Sequence, residues 1–272
     1  MTQIENKMIQ SIEEVDKREV LQLAVEMARI LLKNGAEIFR VEETIAHVCN
    51  YYEIDCVDCF ILSNGIFVTA EDGGKQIFAK VKHVPLSSTH LGIVTEINNL
   101  SREIESGKIM LHEASAQLKK IEKIPPKRSY FRVLASGLGG SCFCYLLGGN
   151  LWESVAAFLI ATIAYLLVLF SEKNKLPRIM MNILGGLLIT ILALFIARIP
   201  LPVHVSSDKL IIGSIMPLIP GLAFVNAIRD IANSDFLSGT IRIIDSLLVF
   251  VYIAIGVGFG LSVYSQGLGG IL

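Results

Sequence analysis

The chain has 272 residues, 53% of them hydrophobic, and a mean hydropathy of +0.59; this exceeds an ordinary soluble domain and places part of it in a lipid bilayer. With a net charge of −1, nothing suggests nucleic-acid binding; basic residues concentrate only in Lys119, Lys120, Lys123, Lys127, Arg128 and Arg132, just before the first apolar span. The charges are unevenly spread, since only eight of 24 Lys and Arg and six of 25 Asp and Glu follow Arg128. The expected organisation is therefore a polar domain, 1–128, and a membrane domain, 129–272.

The first residues include Glu5, Lys7, Glu13, Glu14 and Asp16 rather than the apolar run of a secretory signal, so the polar domain is expected in the cytoplasm. An odd number of cysteines, five, fits a reduced compartment. Within residues 11–34, Val20, Leu23, Ala24, Met27, Ile30 and Leu31 recur at helical spacing, with Gly35 placed as a C-terminal cap. A second helix, from about 36 to 52, would bury Ile38, Val41, Ile45 and Val48. Asn64-Gly65 and Asp72-Gly73-Gly74 then join strands 56–62, 66–70 and 75–81 into an antiparallel meander. Two further helices, 88–106 and 108–124, end at Pro125-Pro126. Cys56 and Cys59 are three apart on a strand and so point to opposite faces. With His47 and Cys49 they match no zinc spacing, and small buried side chains are the expected role.

Five apolar spans follow, at about 131–149, 152–170, 179–199, 210–228 and 241–263, each near the length a bilayer requires. The fold class is an α-helical membrane protein with five transmembrane helices and an N-terminal cytoplasmic α/β domain: two helices, a three-stranded meander, two helices. Basic residues precede the first span and return as Lys173, Lys175 and Arg178, then as Arg229 and Arg242. This bias predicts a cytoplasmic N-terminus and an external C-terminus. Glycines recur in the first, third and fifth spans, where helices could approach closely. Gly256, Gly258 and Gly260 are two apart, so they cannot all share one face.

The fourth span is interrupted by Pro217, Pro220 and Gly221. Lipid offers no partner to the freed backbone groups, so such a break marks a cavity or a site. The second half-helix would begin near Gly221, with free N–H groups and a positive dipole end suited to a carboxylate. Asn226, Arg229, Asp230, Asp235, Ser238, Gly239, Arg242 and Asp245 follow, the acidic and basic ones forming a charged hinge. An ionisable group inside a span costs roughly 2.5–3.5 kcal/mol on insertion scales, which makes Asp245, about one turn into the fifth span, the clearest candidate. Arg242, three residues earlier, is its expected local partner. Asn182, Thr190 and Asn226 are candidates for bridging helices. In the polar domain, Glu37, Arg40 and Glu42 occupy the first turns of a helix; Glu37 and Arg40 can pair, and the group by itself reads as a solvated face. No GxSxG, Walker or HExxH signature is present, and neither a metal nor a cofactor is expected.

The cluster Gly35-Ala36-Glu37…Arg40-Val41-Glu42, the meander, and Pro220-Gly221…Arg229-Asp230…Asp235…Ser238-Gly239…Arg242 resemble the N-terminal region of the threonine/serine exporter family, over about residues 15–265. Where that pattern often has Gly-Asp, this chain has Ser234-Asp235. The resemblance implies a proton-driven exporter of threonine- or serine-like amino acids or of a dicarboxylate such as succinate, in the inner or plasma membrane. It further implies that a second, smaller membrane subunit supplies the remaining spans, within a higher-order assembly. A membrane-bound enzyme using Glu37 or Glu42 as acid or base, and a regulatory or scaffold subunit, are the alternative readings.

Overall fold

The computed structural model describes residues 16–54, 57–72, 75–85, 89–200 and 205–268. Cys56, the Gly73-Gly74 turn, Ser88 and the start of the first expected helix lie outside the described residues. By packing, the chain divides into two units: Met1–Pro126 with Leu222–Ile243, and Lys127–Gly221 with Ile244–Leu272.

In the first unit, α1 (Lys17–Lys33) and α2 (Ile38–Tyr51) precede the strands β1 (Val57–Leu62), β2 (Gly65–Asp72) and β3 (Lys75–His83), followed by α3 (Leu91–Glu105) and α4 (Leu111–Ile121). The sheet is an antiparallel meander in the order β1-β2-β3, with Leu62 opposite Gly65 across the tight turn and Gly65 opposite His83. Strand alternation sends Ile61, Ile66, Val68 and Ala70 into the core, while Phe60, Phe67 and Val81 stay exposed. Periodicity marked one apolar face of α1, yet Leu21, Val25, Ala28 and Leu32 are buried as well. The helix is central: it packs on α2, α3, α4 and two strands, so nearly its whole circumference leaves water.

α1 starts at Asp16, whose Oδ1 accepts from Arg18 N at 2.9 Å. It ends in a Schellman turn, with Gly35 N and Ala36 N donating to Leu32 O and Leu31 O. Gly35 takes φ +80°, and a Cβ there would stand 2.6 Å from Thr89 Oγ1, so glycine serves both the turn and the close approach.

The same unit contains α9 (Gly221–Ala232), from Leu222 onward, and the first residues of α10 (Phe236–Val263). The α9–α10 turn repeats the Schellman pattern: Ser234 N donates to Ile231 O and Asp235 N to Asp230 O. Ser234 takes φ +74°, where a side chain is strained and glycine is favoured. Ser234→Gly is expected to raise the melting free energy of the purified chain by about 0.5–1 kcal/mol, the relief of strain exceeding the added chain entropy. A lower melting point for the variant would contradict this.

The second unit holds α5 (Ser129–Leu146), α6 (Leu151–Asn174), α7 (Arg178–Ala197), α8 (Ser207–Ile215) and the remainder of α10. Leu138, Leu146, Leu151, Phe170 and Phe195 point outward, the reverse of a soluble core. α6, α7 and the segment Phe236–Gln266 are long and apolar enough to cross a membrane, and the bent pair Ser207–Leu218 and Gly221–Ala232 makes a fourth if counted as one span. α5, with Arg132, three glycines and three serines, is not among them. Arg132 forks onto Glu172 at 3.0 and 2.6 Å and donates to the Tyr165 hydroxyl at 3.0 Å, tying the start of α5 to the end of α6. Gly140 lets α5 approach α6 so closely that a Cβ would meet Ala161 Cβ at 2.6 Å.

Candidate functional site

The break in the fourth expected span is present. α8 passes into a 3₁₀ turn, Met216–Leu218; Ile219 is extended, and after Pro220 a new helix begins at Gly221, as the prolines predicted. A Cβ placed on Gly221 would meet nothing within 4 Å, so the start of α9 faces open space.

Two corrections concern the charged residues that follow. Arg229 and Asp230 lie within α9, and the connecting turn contains Asn233, Ser234 and Asp235. α10 begins at Phe236, so Asp245 sits nearly three turns into it rather than one. Arg242 does not pair with Asp245. Its Nη1 donates to Asp230 Oδ2 at 2.8 Å, while Asp245 stands 3.7 Å from Arg178 Nη1. A local i,i+3 pair was the simplest sequence reading, but Arg242 is buried among groups that it satisfies better.

Those groups belong to the turn between α1 and α2. α2 has Glu37 at its N-cap with no side-chain cap of its own. The missing acceptor comes from far along the chain: Asp230 Oδ1 accepts from Ile38 N at 3.1 Å. Arg242 Nη2 donates to Ala36 O at 3.0 Å, and Asn226 Nδ2 to Gly35 O at 3.0 Å. Three side chains of α9 and α10 thus engage the backbone at Gly35, Ala36 and Ile38. Asp230 is wholly buried, and both of its oxygens are occupied. Asn226, expected to bridge helices, instead joins α9 to the α1–α2 turn, and Thr190 turns back to Gly186 O on its own helix at 2.9 Å.

Glu37 is also buried, 5% exposed, which overturns its reading as part of a solvated face. The expected pair with Arg40 is present, Nε to Oε2 at 3.0 Å, but Glu37 Oε1 also accepts from Arg229 Nη1. Arg40 and Arg229 are themselves half-exposed. Glu42, one helical turn further, is half-buried near Asp235. Burial, and then the Asp235 charge, hold its carboxyl above the usual carboxylate range, and burial does the same to Asp235. Ser238 is buried, and Gly239 is where α9 and α10 touch: a Cβ there would stand 2.5 Å from Ile231 Cγ1 and 2.8 Å from Ala227 O.

α9 is amphipathic in the inverse sense. Asn226, Ala227 and Asp230 face inward, while Leu222, Val225 and Ile228 are exposed. Its apolar stripe made the sequence resemble a span, and its polar stripe is what packs. A pocket of about 280 Å³ opens beside it, bounded by Gly35, Glu37, Arg40, Val94, Asn98 and Arg229 among others. Pro217 belongs to the second unit, where Pro217 Cγ is the nearest atom to a Cβ placed on Gly139. Sequence reasoning did not single out Asn98, one of several polar residues on α3, or Arg178 as the partner of Asp245.

No solved structure matches the chain. Among curated proteins it is similar to the "Probable succinate transporter subunit YjjP" of Klebsiella aerogenes, 25% identical over 92% of this chain and 95% of the relative. The protein of the same name from Escherichia coli is 25% identical over 91% of this chain and 96% of its own length. The "Threonine/serine exporter" of Corynebacterium glutamicum is 25% identical over 89% of this chain but only 50% of the relative, so this chain spans about half of that protein. The family model described as "Putative threonine/serine exporter" matches residues 22–264, nearly the whole length. The chain therefore belongs to the threonine/serine exporter family, and its long apolar helices are those of a membrane-embedded protein.

Proposed function

We propose that the chain is the larger subunit of a two-component secondary exporter that moves a small carboxylate-bearing metabolite out of the cell. The observation that carries this reading is the construction of α9. The half-helix that follows the broken span is also part of the N-terminal unit, held there by Asn226, Asp230 and Arg242. A displacement of that unit therefore moves α9, whose positive N-terminal dipole end suits a substrate carboxylate. In this reading the chain has five spans, with α5 as the first and the bent pair of α8 and α9 as the fourth, and the basic residues beside them favour a cytoplasmic N-terminal unit, where cargo is loaded, and an external C-terminus. The relatives named as transporter subunits, and the half-length coverage of a threonine/serine exporter, support a separate smaller subunit that completes the pathway.

Arg229, half-exposed beside the pocket, offsets the charge of the cargo. Asp230 is committed to the packing of α2, so the coupling proton falls to Asp245 or Asp235. Asp245 is 44% exposed and faces Arg178. The test is flux of labelled threonine and succinate from proteoliposomes holding this chain, its small partner, or both, under an imposed pH gradient. Efflux is expected only with both chains, and Asp245→Asn should bring gradient-driven flux near background while leaving insertion intact. Efflux with the partner alone, or recovery of a chemically altered solute, would refute the reading.

A further inference from the structure

The pocket of about 280 Å³ beside α9 lies just below the roughly 300–1,000 Å³ typical of small-molecule sites. Its charge is unbalanced. Arg40 and Arg229 share one carboxylate, Glu37, whose Oε2 accepts from Arg40 Nε at 3.0 Å while Oε1 accepts from Arg229 Nη1. Two cations around one anion leave a net positive charge, and each guanidinium keeps N–H donors beyond the one that Glu37 takes. Both guanidiniums are half-exposed, so these donors reach the pocket without unfolding anything. At the start of α2, Ile38 N already donates to Asp230. Asn98 also lines the pocket, and its side chain has no hydrogen-bond partner among the described residues. Val94 and Val225 supply an apolar wall for a short hydrocarbon.

We propose that this pocket binds the carboxylate of a small aliphatic acid, clamped by Arg40 and Arg229 with Asn98 as the third contact. It is a loading site distinct from the broken span. Its place in transport rests on the exporter reading above; its chemistry does not. A monocarboxylate, a dicarboxylate and an amino acid share the group that is recognised. The amino acid alone would present an ammonium to Glu37, and the dicarboxylate alone a second anion to the spare guanidinium donors.

The test is calorimetric titration of the purified full chain in detergent, without partner or gradient. The probes are sodium propionate, sodium succinate and threonine, with 1-propanol as the neutral counterpart. At least one carboxylate should bind and propanol should not. Arg40→Gln and Arg229→Gln should each weaken binding by about tenfold or more, the loss of a charge-assisted contact. Glu37→Gln releases both guanidiniums and should tighten propionate binding, a sign opposite to the arginine changes. Thr95→Trp, at an exposed pocket position on α3, should block binding without touching the ion pairs. The idea is refuted if no carboxylate binds the wild-type chain, if propanol competes equally, or if the arginine variants bind as tightly as wild type while retaining its melting point. Binding here without flux in proteoliposomes would preserve the pocket and defeat the exporter reading; flux without binding would do the reverse.

Discussion

Asp230→Asn is expected to destabilise the N-terminal unit by about 3–5 kcal/mol, the usual cost of removing one partner from a buried ion pair. Asp230 is wholly buried, with one oxygen on Ile38 N and the other on Arg242 Nη1. An asparagine can still accept one hydrogen bond, but it leaves the Arg242 guanidinium buried without its counter-charge. Arg242→Gln should cost a similar amount, because it strands the carboxylate and also releases Ala36 O. The double variant removes both charges together, so its cost should fall short of the sum of the two single changes by about 1.5 kcal/mol or more. Denaturant titration of the detergent-solubilised chain, followed by protease cleavage within residues 16–126, measures all four species. Additive effects would show that the two side chains do not act as a pair. This outcome matters beyond stability, since the same pair fastens α9 to the domain that precedes it.

The second large effect is expected where α7 meets α10. A Cβ on Gly256 would collide with the Ile183 carbonyl and stand 2.9 Å from Leu187 N; one on Gly186 would stand 2.6 Å from Ile253 O. These are backbone atoms, which cannot swing aside as a flexible side chain does. Gly256→Ala should therefore cost about 1–3 kcal/mol through overpacking, or separate the two helices. Gly258 is two residues away on the same helix, and a Cβ there meets nothing within 4 Å. Gly258→Ala should be neutral or stabilising by up to about 1 kcal/mol, because alanine is the better helix former. Thermal aggregation midpoints of the two variants, compared by size-exclusion chromatography, decide between the cases. Equal shifts would mean that the helices do not touch at Gly256.

The contrast also resolves what the glycines of α10 do. Gly256 and Gly260 are four apart and share the face toward α7, where Gly260 would meet Thr190 and Leu187. Gly258 lies off that face, as the two-residue spacing required. At these positions the glycines are accounted for by close packing.

Local relations were legible in the sequence because they repeat with the geometry of one element. The α1 and α2 faces, the meander and its Asn64-Gly65 turn, the cap at Gly35, the Glu37–Arg40 pair and the restart of the helix at Gly221 all depend on residues within a few positions of one another. What the sequence could not assign was which distant group completes each of them. The helix α2 lacks its own cap, and Asp230, 192 residues away, supplies it. Arg242 takes that same carboxylate rather than Asp245, and Asp245 turns to Arg178 instead. Hydropathy joined Leu222–Ile228 to a membrane span because it sums apolar character without regard to which face of the helix is buried. The tertiary structure decides that face, burying the polar side of α9 against the N-terminal domain, since Asp230 and Asn226 satisfy backbone groups there that no local residue reaches.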